Sequence, residues 1–194
     1  MIPVGSLTVD VGSMFAEKST ALQRHGKRYM LAGKKVVFLK PSTDNRYSED
    51  SIVTHDGKKV GALNLQITNE NKVGILQDLF EADVVCIDEV QFFPDQMITH
   101  IEKLIEQGKK VFVAGLDMDR YGKPFGIVPY LMAKADHVTK HHAVCAFCGE
   151  DAWVSLEVSN DSNKQKLKLG MIISQHVDNA LMKGELNNRR KQFG

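Results

Sequence analysis

Net charge is almost absent from this chain: 25 lysines and arginines stand against 24 aspartates and glutamates, a formal +1 over 194 residues. No global field therefore draws it to nucleic acid or to a membrane surface. Long apolar runs are missing too, and none approaches the roughly 18 residues that a membrane-spanning helix needs. The opening "MIPVGSLTVDVG" has no basic segment leading into an apolar core, so no secretion signal is expected. Cysteine is scarce. Cys86, Cys145 and Cys148 are an odd count, which excludes a disulfide framework and predicts a reducing, cytoplasmic setting. No internal repeat is visible. The lone tryptophan, Trp153, reads as packing rather than as a substrate stack.

What is present is a regular alternation. "SLTVDV" (6–11) is a short β-branched run between glycines and predicts a buried strand, in which Asp10 needs a partner. "KSTALQRHGKRYMLAG" (18–33) has helical composition and stops at Gly33. Further strands are predicted at 34–41, 83–90, 109–117 and 136–144, and helices at 74–82, 96–108 and 126–135. Residues 42–60 read as a polar loop with a short strand at 51–54 and a turn at Asp56–Gly57. The apolar runs look continuous rather than alternating. Strand–helix alternation with such runs predicts an α/β fold: a mostly parallel sheet with helices on both faces, over residues 1–144. Residues 145–194 lose this rhythm and predict a small second lobe ending in the basic tail "KGELNNRRKQFG".

The stretch "DVGSMFAEKST" carries the first chemistry. Gly12, Ser13, Met14, Phe15, Ala16, Glu17, Lys18 and Ser19 follow the form G-x-x-x-x-G-K-S/T, with Glu17 in place of the second glycine. Such a loop, between a strand and a helix, surrounds phosphates with backbone N–H groups. Lys18 stands where the neutralising ammonium belongs, and Ser19 where a hydroxyl meets magnesium. Glu17 puts a side chain where a bare backbone is wanted. It also repels the ligand: like charges about 4 Å apart cost roughly 4 kcal/mol at an effective dielectric of about 20. Unrelieved, that is about a thousandfold in affinity. Two other outcomes stay open. The carboxylate stabilises the empty loop at the helix N-terminus, or it turns to solvent at little cost.

"VVCIDEVQFF" (84–93) supplies the second half. An acid at the end of a buried parallel strand near a phosphate loop serves the magnesium shell, and Asp88 fits. Glu89 beside it is a candidate general base for a substrate hydroxyl. The bland alternative is that both acids merely cap the strand. His141 and His142 read as surface or loop histidines before metal ligands.

Taken in order, "GSMFAEKST", "KPSTDNRYS", "VTHDG", "IDEVQFF", "VAGLD", "KPFGIVPYLMAKADHVTK" and "AVCAFCG" resemble the thymidine kinases of the cellular, P-loop type, over residues 5 to about 157. The resemblance implies a P-loop NTPase-like sheet with a small zinc-ribbon-like lid lobe. It also implies transfer of the ATP γ-phosphoryl group to the 5′-hydroxyl of thymidine, with magnesium and a structural zinc, in a cytoplasmic homotetramer that binds neither nucleic acid nor membrane. By the same resemblance Gly12 to Ser19 hold the ATP phosphates, Ser19 and Asp88 serve magnesium, and Glu89 is the base. Arg46 lies near the transferring phosphate, Gln91 sits at the nucleotide site, and Met14, Phe92, Leu116 and Phe125 line the thymine pocket. Three departures stand out. Glu17 replaces a glycine. Arg120 in "LDMDRYGKPFG" stands where the family has phenylalanine, with Tyr121 next to it. Cys145 and Cys148 supply one zinc knuckle, but the second ligand pair falls on Asn179 and Met182, leaving His176 as a candidate ligand and Asp178 as a weaker one. These departures raise a rival: an impaired relative that binds nucleotide or oligomerises without turnover. A different P-loop ATPase fits the loop but neither "KPFG" nor the knuckle.

Overall fold

Apolar strands that must bury both faces find each other side by side. In the computed structural model, which describes residues 4–41, 51–53, 59–61, 63–65, 79–119, 121–145, 148–156 and 171–173, they form one six-stranded sheet. Its strands are β1 (Ser6–Gly12), β2 (Val36–Pro41), β5 (Leu63–Leu65), β6 (Val84–Ile87), β7 (Lys110–Gly115) and β8 (His137–His141). The order is β5-β2-β6-β7-β1-β8, and every neighbouring pair is parallel. β1 lies between two late strands, pairing Ser6 with Lys110 of β7 and Thr8 with His137 of β8. Among the described residues, three short antiparallel strand pairs lie outside this sheet. They join β3 (Ser51–Val53) to β4 (Lys59–Gly61), β9 (Ala143–Val144) to β10 (Asp151–Ala152), and β11 (Val154–Leu156) to β12 (Met171–Ile173).

The helices α1 (Lys18–Leu31), α2 (Gln96–Glu106) and α3 (Val128–Lys134) fall where the sequence places them. Residues 79–81 are helical, and the rest of the helix predicted from residue 74 lies outside the described residues, as does the Asp56–Gly57 turn. α2 buries Met97, Ile101 and Leu104, one stripe at helical spacing. This stripe joins α3's Val128 and Leu131 over Leu7, Val9, Val11, Val85, Ile87, Val111 and Val113 of the sheet. On the opposite face, α1's Leu22 packs with Phe38, Val84, Cys86, Phe112 and Ala114. Each fully buried leucine, isoleucine, valine or methionine among them contributes about 1.5–3 kcal/mol. The sheet is therefore clad on two sides, as predicted.

β1 departs from the expected continuous apolar run. Leu7, Val9 and Val11 enter the larger core, while Ser6, Thr8 and Asp10 alternate with them. Alternation sends successive side chains to opposite faces. One face of β1 is thus polar, and the buried Asp10 belongs to it.

Candidate active site

Parallel strands all end on the same side of a sheet, and that edge gathers the chemistry. β1 ends at Gly12, β6 ends one residue before Asp88, and β7 ends at Gly115. Gly12 has φ +140°, and a Cβ there would stand 1.9 Å from the His141 carbonyl oxygen, so no other residue fits.

Beyond Gly12 the loop is tied down at several points. The buried Ser13 donates its hydroxyl to the Ala152 carbonyl at 3.0 Å. The Met14 N–H donates to Ser155 Oγ at 2.8 Å. Lys18 Nζ crosses the loop to the Ser13 carbonyl at 2.6 Å. Nothing in the sequence signals Ser155. It is one of four serines in a polar lobe, 141 positions from its partner.

Glu17 is the N-cap residue of α1 at φ 58°, ψ 24°. Its side chain is exposed and makes no capping hydrogen bond, so of the readings above the geometry favours the solvent-facing one. The backbone adds a reason that charge counting misses. This position calls for a left-handed conformation, which glycine adopts freely and glutamate does not. Among the described residues, the non-glycine residues with positive φ are Phe15, Glu17 and Glu89. All three lie in the predicted site, each at a cost of order 1–3 kcal/mol, a clustering characteristic of functional loops.

Ser19, on the first turn of α1, has its hydroxyl beside the Asp88 carboxylate. Asp88 also accepts the Glu89 N–H at 2.9 Å, and its own N–H is held by the Leu39 carbonyl at 2.8 Å. Burial, then the neighbouring Glu89 charge, push the Asp88 carboxyl up to about 7, against the pull of Ser19, the Glu89 N–H and Lys18. A buried carboxyl held this high, with a hydroxyl beside it, fits a divalent cation that would restore its ionised form. Magnesium retains waters and phosphate oxygens, so one or two protein ligands are enough.

Glu89 is held from the side. The buried Gln91 donates from Nε2 to Glu89 Oε2 at 2.5 Å and accepts the Leu116 N–H at Oε1, 3.0 Å away. Gln91 has little room: a Cβ on Gly126, itself at φ +52°, would stand 2.4 Å from the Gln91 carbonyl oxygen. Phe92 and Phe125 meet edge to face, 5.6 Å apart at 86°, and Phe92 is 47% exposed. Met14 and Leu116 are half-buried on the loops that follow β1 and β7. Arg46 and Arg120 lie outside the described residues.

Cys145 is buried and Cys148 exposed, and neither forms a disulfide. The Gly149 N–H donates to the Cys145 carbonyl at 3.0 Å, and the Cys145 N–H to the Glu150 carbonyl at 2.7 Å. No group of three or more candidate metal ligands occurs among the described residues, and His176, Asp178, Asn179 and Met182 lie outside them. Two sulfurs do not make the four-ligand set of a structural zinc. No helix among the described residues is long and apolar enough to cross a membrane.

Among solved structures, the chain is similar to a DNA replication initiation factor, at 13% identity over 70% of this chain and 40% of that one, TM-score 0.45. It is similar to the flagellar accessory protein FlaH from Methanocaldococcus jannaschii, at 15% identity over 77% and 76%, TM-score 0.47. It is also similar to AMPPCP-bound DnaA from Aquifex aeolicus, at 13% identity over 99% and 61%, TM-score 0.47. The chain spans well under half the length of the first of these, 40%. The model of one protein family, described as thymidine kinase, matches residues 5–171, most of the sequence and all of the site just described, and the chain belongs to that family.

Proposed function

We propose that this protein transfers the γ-phosphoryl group of ATP to the 5′-hydroxyl of thymidine. The observation that carries the reading is the convergence of Lys18, Ser19, Asp88 and Glu89 at one end of a parallel sheet, in a chain of the thymidine kinase family. In this reading the amides of Gly12 to Ser19 cradle the phosphates, and the Lys18 ammonium leaves the Ser13 carbonyl to balance their charge. Ser19 and Asp88 would hold magnesium, which supplies charge compensation when bound. Glu89 accepts the proton of the sugar hydroxyl, whose oxygen bonds to the γ-phosphorus as the bond to ADP breaks. Met14, Phe92, Leu116 and Phe125 form the thymine side of the site, supported by the Phe92–Phe125 contact. Arg46 would assist at the transferring phosphate.

Residues 1–144 act as the catalytic domain and 145–194 as the lid. The hydrogen bonds from Ser13 and Met14 to Ala152 and Ser155 support a lid coupled to the phosphate loop. Zinc at Cys145 and Cys148 with His176, a homotetramer and a cytoplasmic setting are the finer parts of the reading, supported by the resemblance alone.

A second reading, nucleotide binding without turnover, is favoured by one observation: a strained, exposed Glu17 at the phosphate cradle. The test measures ATP-dependent thymidine phosphorylation by the chain beside Glu17→Gly and Glu89→Gln. We expect at least a tenfold gain in the first and loss of activity in the second. Binding of ATP with magnesium but no phosphorylation by the chain or by Glu17→Gly would decide for the second reading.

A further inference from the structure

The polar face of β1 opens onto a cavity of about 660 Å³, ample for a small molecule. Its floor is Ser6, Thr8 and Asp10 of β1, with Lys110 and Phe112 of β7 on one side and residues of β8 on the other. Arg24, His25, Arg28 and Tyr29 of α1 form the wall. Lys18, Ser19, Asp88 and Glu89 are not part of the lining, so this is a place distinct from the candidate active site.

The charges here are unevenly satisfied. Asp10 is only 2% exposed and lies between two imidazoles: His141 Nε2 is 2.7 Å from Oδ1, and His25 Nε2 is 3.4 Å from Oδ2. The second contact is too poorly aligned to satisfy Oδ2, which is buried without a hydrogen bond. His25 is fixed from behind by stacking on Phe112, 4.5 Å between centroids at 13°. The other acid of the lining, Asp136, accepts the Leu7 N–H at 2.8 Å. Each carboxylate therefore has a hydrogen-bond partner for one of its oxygens, Asp10 in His141 and Asp136 in the Leu7 amide. The permanent cations are not: among the described residues Arg24, Arg28 and Lys110 have no carboxylate partner, although Arg28 lies 6.0 Å over the Tyr29 ring. Arg24 and Arg28 are one helical turn apart and share a side of α1. The concavity holds donors and positive charge in excess, which suits an anionic ligand. A cationic ligand would meet like charge, and an apolar one would strand the polar floor.

We propose that this cavity is a second ligand site for a phosphorylated small molecule, its phosphate oxygens on Arg24, Arg28 and Lys110 and its inner end against the Asp10–His25–His141 cluster. Guanidinium groups suit this role because their fork of donors matches phosphate oxygens in pairs.

Inorganic pyrophosphate is the probe. With the full chain labelled at histidine, the ring signals of His25, His137 and His141 report this cavity directly by NMR. We expect saturable shifts of these signals. Combined Arg24→Ala, Arg28→Ala and Lys110→Ala should weaken binding at least tenfold, and combined Arg24→Lys and Arg28→Lys, which keeps the charge but loses the fork, by a smaller factor. Lys18→Ala should leave the histidine titration as it is, since the phosphate loop lies elsewhere. Thermal unfolding of each variant checks that it folds. Absence of saturable shifts would overturn the proposal. So would shifts that survive the triple substitution, or that vanish with Lys18→Ala, which would place the anion on the phosphate loop. Sedimentation supplies a further arm: a triple variant that changes mass, with no pyrophosphate effect in either protein, would make this face a contact between copies instead.

Discussion

Gln91 joins Glu89 to Leu116: one end of its amide donates to the Glu89 carboxylate and the other accepts the Leu116 N–H. The accepting end fixes which way the amide faces, so the donor has no choice but Glu89. Gln91→Leu keeps the volume and removes both bonds. It should lower kcat roughly tenfold, the scale of one lost hydrogen bond to a charged group. The effect on KM for thymidine should be smaller, because Phe92 and Phe125 still meet. Steady-state kinetics separate the two. An unchanged kcat would mean Glu89 needs no such support.

Asp88 sets a pH dependence that metal should erase. Its folded value, about 7, lies above the ordinary 3.8, so the folded state binds the proton more tightly than the unfolded chain does. Stability should therefore fall as pH rises from about 4 to about 7, by at most on the order of 4 kcal/mol. Asp10 acts the other way and at lower pH. Burial raises its carboxyl, but the imidazoles of His25 and His141 on either side outweigh this and hold it below 3.8, so its contribution is lost only as acid is added beyond that point. Urea unfolding in chelator at about pH 5 and about pH 8 should show the protein weaker at the higher value. Asp88→Asn should flatten the difference, and magnesium at the higher pH should restore stability.

Glu17 presents two costs that substitution can separate. Glu17→Gln removes the charge and keeps the left-handed strain, while Glu17→Gly removes both. The carboxylate is exposed, and water screens it, so the glutamine variant should recover the smaller share of ATP affinity and the glycine variant the larger. Folding stability of the glycine variant should change by less than about 1 kcal/mol, since relief of strain is offset by a more flexible unfolded chain. Calorimetric titration with ATP and magnesium, beside urea unfolding, reads both. Equal recovery by glutamine and glycine would assign the whole defect to charge.

Ser155 ties the small lobe to the phosphate loop through the Met14 N–H. Ser155→Ala leaves that donor without its partner and should cost about 1 kcal/mol of stability. Met14 stands at the proposed thymine pocket, so KM for thymidine should rise more than kcat falls. A variant with normal KM would mean that the bond serves only the fold.

Much of this was legible in the residues because strand burial and motif order are local properties. The parallel sheet follows from apolar runs that alternate with helical segments, and Asp88 stands at the strand end that "CIDEV" implies. The left-handed backbone at Glu17 was not legible as such, because a sequence shows the carboxylate but not the dihedral angle that makes glycine the better choice there. Nor was the His25–Asp10–His141 cluster. A lone aspartate in a strand announces that it needs partners, but His141 reaches it only once β8 lies beside β1. Ser155 was hidden for the same reason: its partner is distant in the chain and its residue type is common.

The place of β1 in the sheet also says when the molecule can be finished. Among the described strands β1 pairs with β7 and β8, both made after residue 109, so this early strand waits for them before its edges are closed. Until then its amides and the glycine that opens the phosphate cradle have no scaffold. Closing so long a loop is entropically slow. A nascent chain cut short before β7 should therefore be unable to grip nucleotide, and competence should arrive late and all at once.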